Sequence, residues 1–344
     1  MWTTDARLAS DSAARFRPSG RGGALLAVLW LVAGLSAIAF AVASSVRADL
    51  ERASTAFEAL QCEYLAEGAI QRAILYLLWG PIYRNPDGSP RYWDPGWPRL
   101  FFRFPAGEAI VEVIPATAYL NLNSAPRDQL ERLLLALGEP PDRARVVAAM
   151  IDEWRSPARP LGLLSQFRAG DTPSFRPLHA SFEETEQLLL VPGVTRELFY
   201  GSWVRQEDGQ WRPRPGLRDC LSVYGSGGPF DVNTVAAPVL LAVGVPPAVV
   251  EQIVVARQEG PIQPGPQLDA LRRAAGEAGV WLAVGGRSIY TLRATARVRL
   301  ASGQLSETRW TMAATVKLFG LGQQPPYQVL RWYPEAPAEG LVWP

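Results

Sequence analysis

Histidine is nearly missing from this chain, where His179 stands alone among 344 residues. A zinc site built on several imidazoles is thereby excluded, and only one imidazole base exists for acid–base chemistry. Beside Pro177, that histidine reads as a surface loop residue. Cysteine is scarce as well: Cys62 and Cys220 are too few for a disulfide framework, and a single bond between them stays open. The 34 basic and 33 acidic residues leave a formal net charge of +1, without the basic excess that nucleic-acid binders use. Proline is plentiful at 30 residues, yet none of it falls within residues 23–79. A helix can therefore run through that stretch unbroken.

Residues 23–46 contain no charge and are numerous enough to cross a bilayer as one helix. The leader before them, residues 1–22, carries Arg7, Arg15, Arg17 and Arg21 against Asp5 and Asp11. Such an excess of cations holds a leader on the cytoplasmic side and sends the rest across. Three readings compete here: a signal peptide cut near Ala41-Val42-Ala43, an uncut anchor, and a segment trimmed at Arg21-Gly22, directly before the apolar run. The residues beyond the apolar run help to separate them. Leu50, Ala53, Phe57, Leu60 and Tyr64 step by three and four with charged residues between them, and Ile70, Ile74 and Leu78 extend the pattern. The spacing predicts one helix over residues 23–79, membrane-spanning over 23–46 and amphipathic over 47–79. That continuity counts against a cleavable signal, which an unstructured cleavage region normally follows.

Prolines 81, 86, 90, 95 and 98 make the next stretch a loop, and its Tyr92, Trp93 and Trp97 read as pins to the domain beneath. Residues 100–104 and 108–114 read as a strand pair, with a third strand at 117–121. Alternation returns at 289–300, 308–318 and 327–333. A sheet built from both flanks makes residues 124–283 an insertion, between first strands at 80–123 and returning strands and tail at 284–344. The insertion reads as helical and internally repeated. Asn121-Leu122-Asn123-Ser124 leads to a helix stopped at Gly138, and Asp231-Val232-Asn233-Thr234 leads to one stopped at Gly244. Ser124 and Thr234 are the expected caps, and a second helix with a Val-Val pair comes after each glycine. Between the repeats, Ser181 and Glu184 have capping-box spacing, and Pro192-Gly193 makes a tight turn into a helix over 195–203.

Chemistry is hard to find in these residues. The Pro192-Gly193 turn resembles that of helix-hairpin-helix or SAM-like modules, which hold the DNA backbone through turn amides. Here only Arg196 stands beside Glu183, Glu184, Glu186 and Glu197, so no nucleic acid is expected and a packing unit is. Gly225-Ser226-Gly227-Gly228 lacks the Gly-Lys-Ser/Thr of a phosphate cradle and reads as a flexible turn. Asp152-Glu153, Asp171 and Glu183-Glu184 raise calcium as the one cofactor worth considering, but without a regular ligand spacing they read as solvated charges. His179 and Ser181 have no third partner. The expectation is a protein that is not an enzyme, with no catalytic residue, metal ligand or cofactor.

Five segments in order carry a resemblance: Arg21-Gly22 before Gly23-Ala24-Leu25-Leu26-Ala27-Val28-Leu29-Trp30; Leu65-Ala66-Glu67-Gly68-Ala69-Ile70; Leu120-Asn121-Leu122-Asn123-Ser124-Ala125-Pro126; Leu188-Leu189-Leu190-Val191-Pro192-Gly193-Val194; and Asp231-Val232-Asn233-Thr234. Together they resemble the minor pseudopilin K family of type II secretion systems. The resemblance implies an α+β, pilin-like fold, with a long N-terminal helix packed on a small antiparallel sheet and a large inserted all-helical domain of SAM-like or helix-hairpin-helix units. It implies cleavage by a prepilin peptidase between Gly22 and Gly23 or one residue later, then methylation. It also implies single-pass insertion in the inner membrane with the C-terminal portion in the periplasm, and a place at the pseudopilus tip that initiates assembly for protein export. Its partners would be minor pseudopilins I and J, the major pseudopilin and the inner-membrane assembly platform. Ala27 would be the fifth mature residue, where most relatives carry a glutamate. Leu50, Phe57, Leu60 and Tyr64 would face the partner helices. Arg155-Ser156-Pro157 stands where relatives tend to carry an acidic run associated in some with calcium. The second reading is a membrane-tethered DNA receptor of the competence type.

Overall fold

The computed structural model describes residues 21–157, 164, 179–205 and 209–336. The leader up to residue 20, Asp171 and Pro177 lie outside the described residues. The chain divides into two compact units, residues 1–57 and 58–344. Helix α1 (Arg21–Trp79) runs for 59 residues and contributes to both. In the first unit every described residue is helical, and residues 23–47 are all exposed. Mean hydropathy reaches 2.5 over 18 residues, so this helix is long and apolar enough to cross a membrane.

The second unit begins with the remainder of α1, then β1 (Arg99–Phe104) and β2 (Gly107–Pro115). After these come β3 (Leu120–Asn121), α2 (Arg127–Ala136), α3 (Pro141–Arg155), α4 (Arg196–Tyr200), β4 (Ser202–Arg205), β5 (Trp211–Arg214) and β6 (Leu221–Ser222). Next are β7 (Phe230–Asp231), α5 (Ala237–Ala242), α6 (Pro247–Glu259), α7 (Pro266–Ala274) and β8 (Leu282–Ala283). The chain ends in β9 (Ile289–Val298), β10 (Trp310–Leu318) and β11 (Tyr327–Tyr333).

Strands from the two flanks form one sheet in the order β1-β2-β9-β10-β11, antiparallel throughout. Alternation decides its two faces. Ala109, Val111 and Val113 of β2, with Leu292, Ala294 and Ala296 of β9, meet Ala66, Ala69, Ile70, Ala73, Ile74 and Leu77 of α1 in one buried cluster. Alanine on both sides lets the helix lie close to the sheet, and each large aliphatic side chain buried between them contributes about 1.5–3 kcal/mol. The opposite face is polar. Thr291 and Thr315, and likewise Thr295 and Thr311, share hydroxyl hydrogen bonds of 2.9 Å, while Glu112 accepts from Arg293 at 2.7 Å. The α+β class expected from the sequence is thus the observed one. In the proline-rich loop Trp93 is buried against Tyr290, and its indole donates to the Trp97 carbonyl at 3.0 Å.

The insertion between β2 and β9 has its own core, which includes Leu122, Leu133, Trp154, Val232, Leu240 and Ile253. Several local expectations are corrected there. The insertion is not all-helical, because β4 and β5 form a hairpin and β3–β6 and β7–β8 form short parallel pairs. Residues 120–121 accordingly pair with β6 instead of joining the main sheet. The helix expected to reach Trp203 stops at Tyr200, and Trp203 lies in β4 after the turn at Gly201. Ser124 and Thr234 cap nothing, since α2 and α5 start after Pro126 and Ala236 without a side-chain cap. Proline at or beside the first turn already supplies the extended entry that a capping hydroxyl would otherwise hold. No capping box forms at Ser181 and Glu184 either: the Glu183 N–H donates to Gln187 at 2.9 Å, and a 3-10 turn Thr185–Leu190 comes next.

Candidate functional site

Leu50 and Phe57 in the first unit are 66% and 61% exposed, and Leu60 and Tyr64 in the second are 47% and 66% exposed. Behind Leu60 and Tyr64, the same helix sends Cys62, Ala66, Ala69 and Ile70 into complete burial. Polar groups secure that helix to the loop between β9 and β10: Ser306 and Thr308 donate their hydroxyls to Glu58, and Cys62 donates to the Thr308 carbonyl at 3.6 Å. Burial pushes the Cys62 thiol up. Gly22 and Gly23 lie in the first turn of α1, Gly23 and Ala27 are exposed, and a Cβ on Gly23 would meet nothing within 4 Å.

A second constellation was not foreseen. In both repeats an asparagine side chain clasps a distant backbone residue on both of its polar groups. Asn123 donates to the Phe182 carbonyl at 2.9 Å and accepts its N–H at 2.7 Å; Asn233 treats Ile262 likewise at 3.0 and 2.8 Å. An arginine then closes each turn. Arg155 donates to the carbonyls of Leu122 and Ala125, and Arg257 to those of Val232 and Val235, the matching positions. Gly138 and Gly244, at φ 85° and 89°, end the first helix of each repeat in the same pattern, with Glu139 N bonded to Leu134 O and Val245 N to Leu240 O. The sequence carries a signal for this. Gly138 is seventeen residues from both Asn121 and Arg155, and Gly244 is thirteen from both Asp231 and Arg257. The four-residue difference is about one helical turn on each arm, which leaves the two ends of an antiparallel pair in register.

The remaining candidates are held in packing. The Pro192-Gly193 turn lies on α3, where Arg143 donates to the Gly193 carbonyl at 3.2 Å and a Cβ on Gly193 would stand 3.0 Å from Val147. Glu183, Glu186 and Glu197 around it are exposed. Glu184 pairs with Arg331 of β11 at 2.6 Å, a bond that lowers its carboxyl. Asp152 is taken by Arg155 at 2.9 Å, and Glu153 accepts the Leu164 N–H at 3.2 Å. Among the described residues no three His, Cys, Asp or Glu side chains gather as metal ligands. At the Gly225 turn a Cβ would fall 2.6 Å from the Leu120 carbonyl, and Ser226 bridges to Leu120, so this glycine permits a close approach to β3. Cys62 and Cys220 are both buried free thiols and do not pair. His179 is half-buried, and its Nδ1 finds no hydrogen-bond partner among the described residues. A cleft lined by Thr117, Ser226, Arg287 and Ser288 holds about 120 Å³, below the roughly 300–1,000 Å³ of small-molecule sites.

No family model matches the sequence, and no curated protein matches it. The structure is similar to a chain in the crystal structure of the GspK-GspI-GspJ complex from the enterotoxigenic Escherichia coli Type 2 Secretion System, with a TM-score of 0.48 and 18% identity, over 83% of this chain and 98% of that one.

Proposed function

We propose that this chain is a minor pseudopilin that sits at the tip of a type II secretion pseudopilus, starts its assembly and has no catalytic role. The single observation that carries this reading is the two-sided helix α1, which is buried along one side under the sheet and leaves Leu60 and Tyr64 in solvent on the other. The uncharged run in the N-terminal half of the same helix is long enough to anchor the chain in the inner membrane, with the C-terminal portion in the periplasm. Trimming by the prepilin peptidase at Gly22 or Gly23, then methylation, frees that helix to leave the lipid and pack beside minor pseudopilins I and J, above the major subunit and the assembly platform. Ala27 supports a tip position. A glutamate there would be a buried charge requiring the terminal amine of a subunit ahead, and an alanine requires none. The inserted domain would obstruct any subunit stacking above it.

The test is Phe57→Glu combined with Leu60→Glu in the full chain. Both residues are exposed, so folding is retained while co-purification with minor pseudopilins I and J drops about tenfold or more. Undiminished co-purification refutes this seam.

A further inference from the structure

Two stretches that the filament reading does not use meet at one cleft. The Gly225–Gly228 turn carries no cation of its own, and the short link between β8 and β9 carries Arg287 and Ser288. The fold brings Ser226 of that turn, Thr117 and the Arg287-Ser288 pair around one open cleft of about 120 Å³, with Ile289 beside them and no acid in the lining. Since roughly 10–15 Å³ is the smallest space that holds one water, that volume suits a group of a few heavy atoms.

Hydrogen bonding decides which of these side chains has a donor to spare. Thr117 spends its hydroxyl proton on the Gly285 carbonyl at 2.8 Å. The Ser226 hydroxyl instead accepts the Gly228 N–H at 2.9 Å, which leaves its own proton to give. Its main chain is held on both sides, the N–H by the Tyr119 carbonyl at 2.8 Å and the carbonyl by the Asn121 N–H at 3.0 Å. Ser288 is half-buried, and its carbonyl accepts the Leu318 N–H at 2.7 Å. The side chains of Ser288 and of the exposed Arg287 have no hydrogen bond or ion pair among the described residues. Opposite Ile289, on the same face of the sheet, stands Lys317. Its ammonium lies 5.4 Å from the centre of the Phe319 ring and in no ion pair among the described residues. The neighbouring carboxylates are engaged. Asp231, 2% exposed, accepts the Gly285 N–H and the Thr234 hydroxyl, and Glu184 is held by Arg331 at 2.6 Å.

We propose that this cleft binds a small oxyanion, a phosphate or phosphate monoester. The Arg287 guanidinium offers a planar fork to two of its oxygens, and the Ser226 and Ser288 hydroxyls are left for the third. Charge selects phosphate over carboxylate: Arg287 and Lys317 together match the nearly two negative charges of a phosphate monoester at neutral pH. Ser226 belongs to the insertion and Arg287 to the return toward the sheet, so the bound anion would tie the two together and raise the melting temperature. The proposal does not rest on the filament reading, because a chain that never entered a filament would present the same cleft.

The test is equilibrium dialysis of radiolabelled inorganic phosphate against the full-length protein in detergent micelles at low salt. Binding should saturate at about one phosphate per chain, with a dissociation constant of about 1 mM or below. Arg287→Gln should weaken it about tenfold or more and Ser288→Ala about threefold or more. The phosphate-free melting temperature of Arg287→Gln should be unchanged, because that side chain is exposed. Arg287→Lys keeps the charge without the fork and should fall between the parent and Arg287→Gln. Arg127, an exposed arginine of α2, does not line the cleft, so Arg127→Gln should bind as the parent does. Two competitors separate the sources of the phosphate, and either result supports the site. Equal displacement by glycerol 3-phosphate and by short-chain phosphatidic acid assigns a soluble monoester, whereas tighter displacement by the lipid assigns a headgroup. The proposal is overturned if no phosphate binds at about 10 mM, or if either cleft variant binds as tightly as the parent. It is also overturned if Arg127→Gln loses as much as Arg287→Gln, or if acetate displaces phosphate as well as glycerol 3-phosphate does.

Discussion

The first repeat enters on Asn121 and the second on Asp231, and this one-atom difference matches the group each side chain faces. Asn121 donates its amide to the Gly225 carbonyl at 2.9 Å while its oxygen accepts the Asn123 and Ser124 N–H groups. Asp231, 2% exposed, accepts the Gly285 N–H at 2.8 Å together with the Thr234 hydroxyl. An amide can both donate and accept, whereas a carboxylate only accepts, so each residue suits the polarity of its neighbour. Around that difference the clasping asparagine, the turn glycine and the closing arginine are the same. The repeats share the set of bonds that satisfies a buried, non-repetitive backbone; they vary in helix length and in the elaboration after it.

The largest expected effect comes from removing a closing arginine. Arg155→Ala and Arg257→Ala each leave two carbonyls without their donor and should each lower stability by about 2–4 kcal/mol, read from urea midpoints of the full chain. If only one of them does, the repeats are not energetically alike. Next in size is a test of arm length. Adding four residues to α5 alone should shift the end of one arm by about one turn and cost roughly as much as losing Arg257, while adding four to both α5 and α6 should restore the bonds and most of the stability. Equal losses from the single and double insertions would break the comparison.

The smallest effect concerns the entry residues. Asn121→Asp sets a carboxylate against the Gly225 carbonyl and should cost about 1–3 kcal/mol, more than Asp231→Asn, whose oxygen can still accept from Gly285. Their pH dependence sharpens the contrast. Burial, the largest influence, pushes the Asp231 carboxyl above its ordinary value, against the pull of Thr234, the Gly285 and Asn233 N–H groups and Arg257. An acid raised on folding binds its proton more tightly when folded. Its stabilising contribution is therefore full below the unfolded value of 3.8 and declines as pH rises toward the folded value. Asp231→Asn should flatten that decline in a stability–pH profile, and an unchanged slope would assign it to another group.

Much of the architecture was legible because it rests on periodicity. An uncharged, proline-free run continued by apolar steps of three and four specifies α1, and alternation at residues 289–300 and 308–318 specifies strands half-covered by a helix, which form at 289–298 and 310–318. The tertiary wiring was less legible. Asn123 and Asn233 read only as part of the segments leading into a helix, and nothing local says that their partners are Phe182 and Ile262, 59 and 29 residues away. Arg155 read as a replacement for acidic residues, whereas its guanidinium is spent on the carbonyls of Leu122 and Ala125. The hairpin at Trp203 read as the end of a helix, since the five residues before Gly201 and the four after it hold too few periods to tell strand from helix.

By itself, the sequence determined the elements whose stability is set by repeated burial of one face: the long helix, the sheet strands from both flanks, and the duplicated helical pairs ended by Gly138 and Gly244. Only the tertiary structure decided which residues terminate the buried backbone, which face of the β4–β5 hairpin meets solvent, and why an amide serves in one repeat and a carboxylate in the other. The physical reason is that burial of a face is a local, averaged property of a pattern. A hydrogen bond across dozens of residues depends on the position and polarity of one distant group, which no neighbouring residue records.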